Sequence, residues 1–500
     1  MSLHLTLTDY LDPTRWRWVL SDAAGRFLAD HDVHLDPASR EYQGFCDLRD
    51  YVDYYAPIQD VEARLASLGA WVGERVFGGL RDALRRACHP PATPVQVTLP
   101  AQANALLLRP FELACFADGT RFDRAGVRFI YHLEGTPAHA CPPPTDAAGI
   151  LPVRILAAFS LPVRANPLNL RRERYGLQCL ARELRQTQGR AVVLRVLHYG
   201  ATRETLRAAL EEAPGWDIIH LSGHGAEGTL LLEDEFGGND TIDAADLGDL
   251  LELTAERLKL LILDACYSGA GSHAAARRAL GLDPAPTRQE GAEGAEVPPT
   301  APTVLPGLAQ TLSARLGCAA LAMRYPVDDA FATDLMLVLY AKLLDKGRPL
   351  PAALHLALDD ALRAAARPSL SPFTPLLVGA PAAALALTPP PYRPRASPCR
   401  RPGWASPSRP NRRALWAACN RSCAPARPSP RAATGAACSS MGCPAPARRP
   451  ARWNWPTATP KAVSRATSGI APLKKGPTLP VNCSTSSSKS SANSTRPAWG

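Results

Sequence analysis

Over residues 3–33 apolar and polar side chains alternate with a period of two, which predicts strands at Leu3 to Thr8, Arg15 to Leu20 and Arg26 to Val33, with a turn at Ser21 to Gly25. The period then lengthens. Val61, Leu65, Leu68, Val72 and Val76 recur every three or four residues, so residues 59–86 read as helix. Pro94 to Leu99 and Val127 to Leu133 read as strands, and the stretch 1–145 closes as a mixed α+β region in a loop holding Pro142, Pro143 and Pro144.

From Leu151 the pattern becomes a regular alternation. Strands are predicted at Val153 to Ala158, Ala191 to Leu197, Trp216 to Leu221, Thr229 to Leu232, Leu258 to Leu263, Ala319 to Met323 and Phe373 to Val378. Between them, helices are predicted at Leu170 to Gln186, Glu204 to Glu212, Ala244 to Leu253, Leu308 to Leu316, Asp328 to Leu344 and Ala352 to Ala365. Strands this apolar, separated by helices, imply an α/β fold whose mostly parallel sheet is covered on both faces. Residues 146–381 are therefore expected to form one domain, interrupted at 283–306 by a Pro-, Gly- and Glu-rich insertion without periodic apolar anchors, which is expected to be mobile. Past residue 382 the regularity ends, and residues 382–500 are expected to be a disordered, Pro/Arg/Ser-rich tail. Such a composition also resembles GC-rich coding sequence read out of frame.

Charge changes the picture only once it is located. The net charge of +10 suggests a nucleic-acid partner, yet no Asp or Glu follows Asp360, while residues 391–500 carry 19 Lys and Arg. The rest has 37 basic against 46 acidic residues, a mildly acidic body with a basic tail. No aromatic-basic pattern supports specific nucleic-acid binding. No signal peptide opens the chain and no apolar run reaches spanning length, so a cytoplasmic protein without a membrane partner is expected. Seven cysteines (Cys46, Cys88, Cys115, Cys141, Cys179, Cys266, Cys318) are scattered before the tail, an odd number that does not make a disulfide framework. Cys419, Cys423, Cys438 and Cys443 are too loosely spaced for a zinc knuckle, and neither a metal nor a cofactor is expected.

Two strand ends carry reactive residues: His220-Leu-Ser-Gly-His224-Gly225 and Asp264-Ala-Cys266-Tyr-Ser-Gly269. In an open parallel sheet, ligands bind in the crevice beyond the carboxyl ends of the strands. If the two strands are neighbours, a thiol and an imidazole face each other there. Cys266 then supplies the nucleophile, and His224 takes its proton and returns it to a leaving amine. The N–H groups of Gly225 and Cys266 are candidate oxyanion donors. Asp264, two residues before Cys266, shares its face and could bind a Lys or Arg of a substrate. His220 lies inside the apolar run and reads as a buried structural residue, while Arg171, Arg172 and Arg174 read as solvated charges at a helix start. Gly269-Ala-Gly271-Ser-His-Ala274 has the form of a dinucleotide loop, but the acidic residue such a site needs would fall near Glu290 in the insertion. No nucleophile elbow, Walker loop or H-E-x-x-H motif is present.

At these residues the chain resembles the CHAT family, the caspase-like domains of bacteria and eukaryotes related to caspases, metacaspases and separases. The resemblance runs over about 150–381 through four blocks in order: His220 to Gly225, Asp264 to Gly269, Gly317 to Asp329 and Pro375 to Gly379. Leu107 to Leu113 with Val127 to Leu133 looks like a divergent front half of the same region. The resemblance implies a caspase-like α/β sheet, His224 and Cys266 as catalytic residues, and Asp264 as a partner for a basic residue before the scissile bond. It also implies Tyr325, standing where many relatives have Trp, as a substrate-pocket wall with Asp329 beside it. Expected partners are a protein or peptide substrate and a sensor or regulator protein. The implied function is a cysteine endopeptidase cleaving after Lys or Arg. A catalytically silent scaffold that binds partners through the same groove is the alternative.

Overall fold

Among the residues that the computed structural model describes, eleven strands form one sheet, in the order 27–34, 15–21, 3–12, 93–99, 127–133, 375–378, 319–323, 260–264, 218–222, 153–159 and 192–197. The model describes residues 2–55, 60–134, 151–163, 165–269, 307–364 and 367–392. Residues 1–401 make one compact unit, and the second, 402–500, lies outside the described residues, as do the predicted insertion 283–306 and nearly all of the predicted tail.

The first half of the chain supplies β1 (Leu3–Asp12), β2 (Arg15–Ser21), β3 (Phe27–His34), β4 (Thr93–Leu99) and β5 (Val127–Leu133). Its helices are α1 (Arg40–Cys46), α2 (Leu48–Tyr55), α3 (Val61–Val72) and α4 (Leu80–Ala87). The single helix predicted over 59–86 is therefore two helices with a wide turn between them. Gly78 explains the break: its φ of +40° suits glycine, and a Cβ there would lie 2.2 Å from the His31 ring. The sequence pattern also missed α1 and α2. At the start of α1 the Ser39 hydroxyl accepts from the Tyr42 N–H, a cap that precedes too short an apolar run to be read.

The second half supplies β6 (Val153–Phe159), α5 (Leu170–Gln186), β7 (Val192–Leu197), α6 (Arg203–Leu210), β8 (Ile218–Ser222), α7 (Ala244–Leu251) and β12 (Leu260–Asp264). After these come α8 (Leu308–Leu316), β13 (Ala319–Met323), α9 (Asp329–Tyr340), α10 (Leu350–Ala364) and β14 (Pro375–Val378). A small separate sheet holds β9 (Gly225–Ala226), β10 (Thr229–Glu233) and β11 (Asn239–Asp243). Pairing in the large sheet is antiparallel only at β1–β2, β2–β3 and β13–β14, so the sheet is mostly parallel, as the apolar strands predicted. Because β14 pairs β5 through Leu377 opposite Ile130, the boundary expected near residue 145 falls between strands of one sheet.

Alternation along the strands sorts side chains onto two cores. Ile219, Leu221, Leu261, Leu263, Ala320 and Ala322 face α6, α7, α8 and the helices of the first half. Ile218, Leu260, Ile262, Leu321 and Met323 face α5, α9 and α10. All five residues of each of β8, β12 and β13 are buried, which holds these strand ends rigid where the reactive residues emerge.

Candidate functional site

Strands β8 and β12 pair in parallel with Ser222 opposite Asp264, and Gly223 N–H donates to the Asp264 carbonyl at 3.3 Å. His224 and Cys266, each two residues further on, leave neighbouring strands at the same edge. The chains stay close beyond the sheet: a Cβ on Gly225 would lie 2.5 Å from the Cys266 carbonyl oxygen and 3.0 Å from the Ala265 Cβ. Only glycine fits after His224, because any side chain would push the two loops apart.

The turn carrying Cys266 is fastened from three sides. Ser268 Oγ donates to the Leu263 carbonyl at 2.9 Å and accepts from Met323 N–H at 3.0 Å, while Gly269 N–H donates to the Met323 carbonyl at 2.9 Å. Tyr267, next to the nucleophile, has a φ of +58°, a conformation that a bulky side chain rarely adopts. Its hydroxyl accepts from Arg49 of α2 at 2.5 Å. The Val327 N–H donates to Cys266 Sγ at 3.4 Å, so the sulfur of this half-buried residue already sits before a hydrogen-bond donor. Burial pushes the Cys266 thiol above its ordinary pKa, the Val327 N–H draws it back, and the Asp264 carboxylate pushes it up again.

His224 is oriented by the chain after β6. Its Nε2 lies 2.7 Å from the Asn166 carbonyl oxygen. A carbonyl only accepts, so Nε2 donates this hydrogen bond, and in the neutral ring Nδ1 is the nitrogen with the lone pair. Among the described residues neither His224 nor Cys266 hydrogen-bonds the other's side chain.

Asp264 points to the opposite side of the strand from Leu263, into the core beneath α5 and α9, and is buried. Its neighbours there are Glu173 of α5 and His220 of β8, with ligand-type atoms all within 4.8 Å of one another. Burial raises the Asp264 pKa well above the ordinary carboxylate value, and the carboxylates of Glu173 and Asp329 raise it further. Asp329, at the start of α9, accepts from the Asn169 N–H at 3.0 Å, which ties it to the start of α5. The structure thus brings Asp264 and Asp329 together. Tyr325 lies elsewhere, buried in the core on the other face of the sheet, where its hydroxyl donates to the Leu108 carbonyl at 2.7 Å.

Residues 72–296 match the family model of the CHAT domain, a span that includes His224, Gly225, Asp264 and Cys266. The chain carries a CHAT domain. Outside that span, strands β13 and β14 complete the sheet around the CHAT strands, and Arg49 reaches the nucleophile turn from α2. Among solved structures the chain is similar to the crystal structure of the Arg specific cysteine proteinase gingipain R (RGPB), at 10% identity and a TM-score of 0.37, over 65% of this chain and 76% of that one. It is similar also to the complex of Porphyromonas gingivalis RgpB pro- and mature domains, at 11% identity and a TM-score of 0.39, over 66% and 78% of the two chains. A third is the Saccharomyces cerevisiae separase–securin complex, at 10% identity and a TM-score of 0.42, over 75% of this chain and 30% of that one. No curated protein matches the chain. Among the described residues no helix is long and apolar enough to cross a membrane.

Sequence reasoning missed several residues of this site. The Asn166 carbonyl has no side-chain signature, and Arg49 lies 217 positions from the nucleophile. Glu173 was hidden among Arg171, Arg172 and Arg174. Its signal was the helical spacing that puts it on the buried face of α5 with Leu177 and Leu184.

Proposed function

We propose that this CHAT domain is a cysteine endopeptidase that cleaves after Lys or Arg, with Cys266 as nucleophile and His224 as general acid and base. The observation that carries the reading is the packing of Gly225 against the Cys266 backbone, which sets the His224 loop beside the turn that carries the thiol. His224 Nδ1 takes the thiol proton, and the sulfur attacks the peptide carbonyl carbon. The resulting oxyanion is received by the N–H groups of Gly225 and Cys266. His224 then returns the proton to the departing amine, leaving a thioester that water hydrolyses by the same proton path. Asp264 and Asp329 offer carboxyl groups to the basic side chain before the scissile bond, and that cation would favour the ionised form of Asp264. Tyr325 supports the pocket from behind, by fixing the segment that leads to Val327 and Asp329.

Hydrolysis of a pool of Arg- and Lys-containing fluorogenic peptides by the full chain, compared with Cys266→Ala, tests the proposal. Cleavage lost in the variant is the expected result. The second reading, a silent scaffold, is favoured by two observations: burial keeps the Cys266 thiol above its ordinary pKa, and His224 bonds a carbonyl instead of the sulfur. Equal, absent cleavage by both proteins supports that reading.

A further inference from the structure

We infer that Glu173, His220 and Asp264 form a binding site for one divalent transition-metal ion beneath the strand that carries the nucleophile. The three side chains come from α5, β8 and β12, and their ligand-type atoms lie within 4.8 Å of one another. They are 2%, 0% and 5% exposed, respectively. Among the described residues Glu173 Oε1, His220 Nε2 and Asp264 Oδ1 are buried atoms that make no well-aligned hydrogen bond, the first two facing each other as an ion-pair contact. Buried polar atoms are nearly always well paired, so three such atoms meeting at one point with bonding capacity left over mark a place for a bound cation.

The remaining atoms of the cluster are already committed. Ser222 Oγ donates to Glu173 Oε2 at 2.8 Å, which leaves Oε1 to face His220. Tyr340 Oη lies 3.4 Å from His220 Nδ1. A His220 that donates through Nδ1 to Tyr340 presents the lone pair of Nε2 to the centre of the cluster. These are the contacts that orient ligands from behind in metal sites. Glu173 Oε1 and His220 Nε2 are 3.0 Å apart, within ion-pair distance although not aligned for a hydrogen bond, and an ion between them would take both atoms as ligands. A tetrahedral ion with bonds of about 2.1 Å holds its ligand atoms about 3.4 Å apart, close to this separation, with Asp264 completing the set by a small shift. One imidazole nitrogen with two carboxylate oxygens suits zinc or manganese. Two buried carboxylates also need a cation to offset their desolvation.

The site stands on its own geometry. Its consequence for catalysis rests on the peptidase reading: an ion on Asp264 and the Lys or Arg side chain of a substrate would compete for one carboxylate.

Binding of Mn2+ to the full chain, followed by loss of the free-ion electron paramagnetic resonance signal, tests the inference. Manganese is chosen because thiolates favour softer ions, so the 13 cysteines contribute little. One Mn2+ bound per chain is expected, retained in Cys266→Ser and displaced by zinc. Glu173→Gln and Asp264→Asn should each weaken it by about tenfold or more, and Tyr340→Phe, which keeps all three ligands, by about tenfold. Binding that ignores Glu173→Gln and Asp264→Asn, or no binding by a chain that melts cooperatively, overturns the site. A variant counts only if its melt is also cooperative, which separates ligand loss from misfolding. Mn2+ retained by Cys266→Ser beside a wild-type chain that cleaves no basic peptide supports the metal site and removes the peptidase reading alone.

Discussion

Two buried charged clusters lie on opposite faces of the same sheet, and they differ in how their charge is answered. On one face Arg324, at the end of β13, sends Nη1 to Glu112 Oε2 at 3.0 Å and Nη2 to Glu112 Oε1 at 3.2 Å, with the Tyr131 hydroxyl beside them. Burial alone would depress the guanidinium, but the Glu112 carboxylate holds it charged and raises its pKa above the ordinary value. On the other face, among the described residues, Glu173, His220 and Asp264 leave three buried atoms without an aligned hydrogen bond. Charge is balanced where the cluster joins the two halves of the chain. Among the described residues, no Arg or Lys answers it beneath the sheet edge that carries His224 and Cys266, so burial and Glu173 raise the Asp264 pKa there, and a cation, from a metal or a substrate, has a role.

Breaking the balanced cluster should have the largest effect. Glu112→Gln or Arg324→Met leaves one buried group unpaired and is expected to cost about 3–5 kcal/mol in urea denaturation. The double variant Glu112→Leu/Arg324→Met should recover most of that loss. A single-variant cost under about 1 kcal/mol would mean that the pair contributes no more than an exposed one. Asp264→Asn should behave in the opposite way. It replaces a carboxyl, whose pKa burial and Glu173 raise, with a neutral amide that can donate to Glu173, so the melting temperature should hold or rise while kcat/KM for Arg and Lys peptides falls by about tenfold or more. A fall in stability without a change in preference for basic peptides would make Asp264 a structural residue.

How much of this was legible in the sequence depended on the range of the interaction. Val127–Leu133, Leu170–Gln186, Leu308–Leu316 and Ala319–Met323 fall where hydrophobic periodicity set them, because burial of one face or of both decides local structure there. Strand β11 was missed because it is a polar hairpin partner of β10 in which only Ile242 is buried. The joining of the two halves was hidden for another reason: β14 pairs β5 across nearly 250 residues, and no local pattern encodes that choice. His224, Asp264 and Cys266 stood out because they sit beside glycines at the ends of apolar strands. Their supports did not, since a backbone carbonyl at Asn166 and a buried glutamate in an arginine-rich stretch look ordinary in one dimension.

A third buried contact sharpens the comparison with a smaller effect. Arg128 of β5 donates from Nη2 to His355 Nδ1 of α10 at 2.8 Å, so the imidazole must be neutral to accept. Burial, followed by the Arg128 charge, pushes the His355 pKa down to about 4. The unfolded chain binds that proton more readily, so the contribution to stability is full above pH of about 6.5 and is lost as pH falls toward 4. A loss of about 2 kcal/mol over that window is expected in denaturation curves, flattened in His355→Gln. A wild-type curve with no slope there would mean that His355 accepts a proton without leaving Arg128. The smallest effect is one of access: alkylation at neutral pH should label half-buried Cys266 before fully buried Cys318. The reverse order would show that the site is closed to small reagents.

The most direct test of the cysteine peptidase account is covalent labelling of the full chain by an arginyl chloromethyl ketone, read by intact mass and peptide mapping. One adduct on Cys266 is predicted, much slower in His224→Ala, although that variant should still react with iodoacetamide at the same thiol. No adduct, or labelling of Cys266 at the same rate with and without His224, would contradict the account.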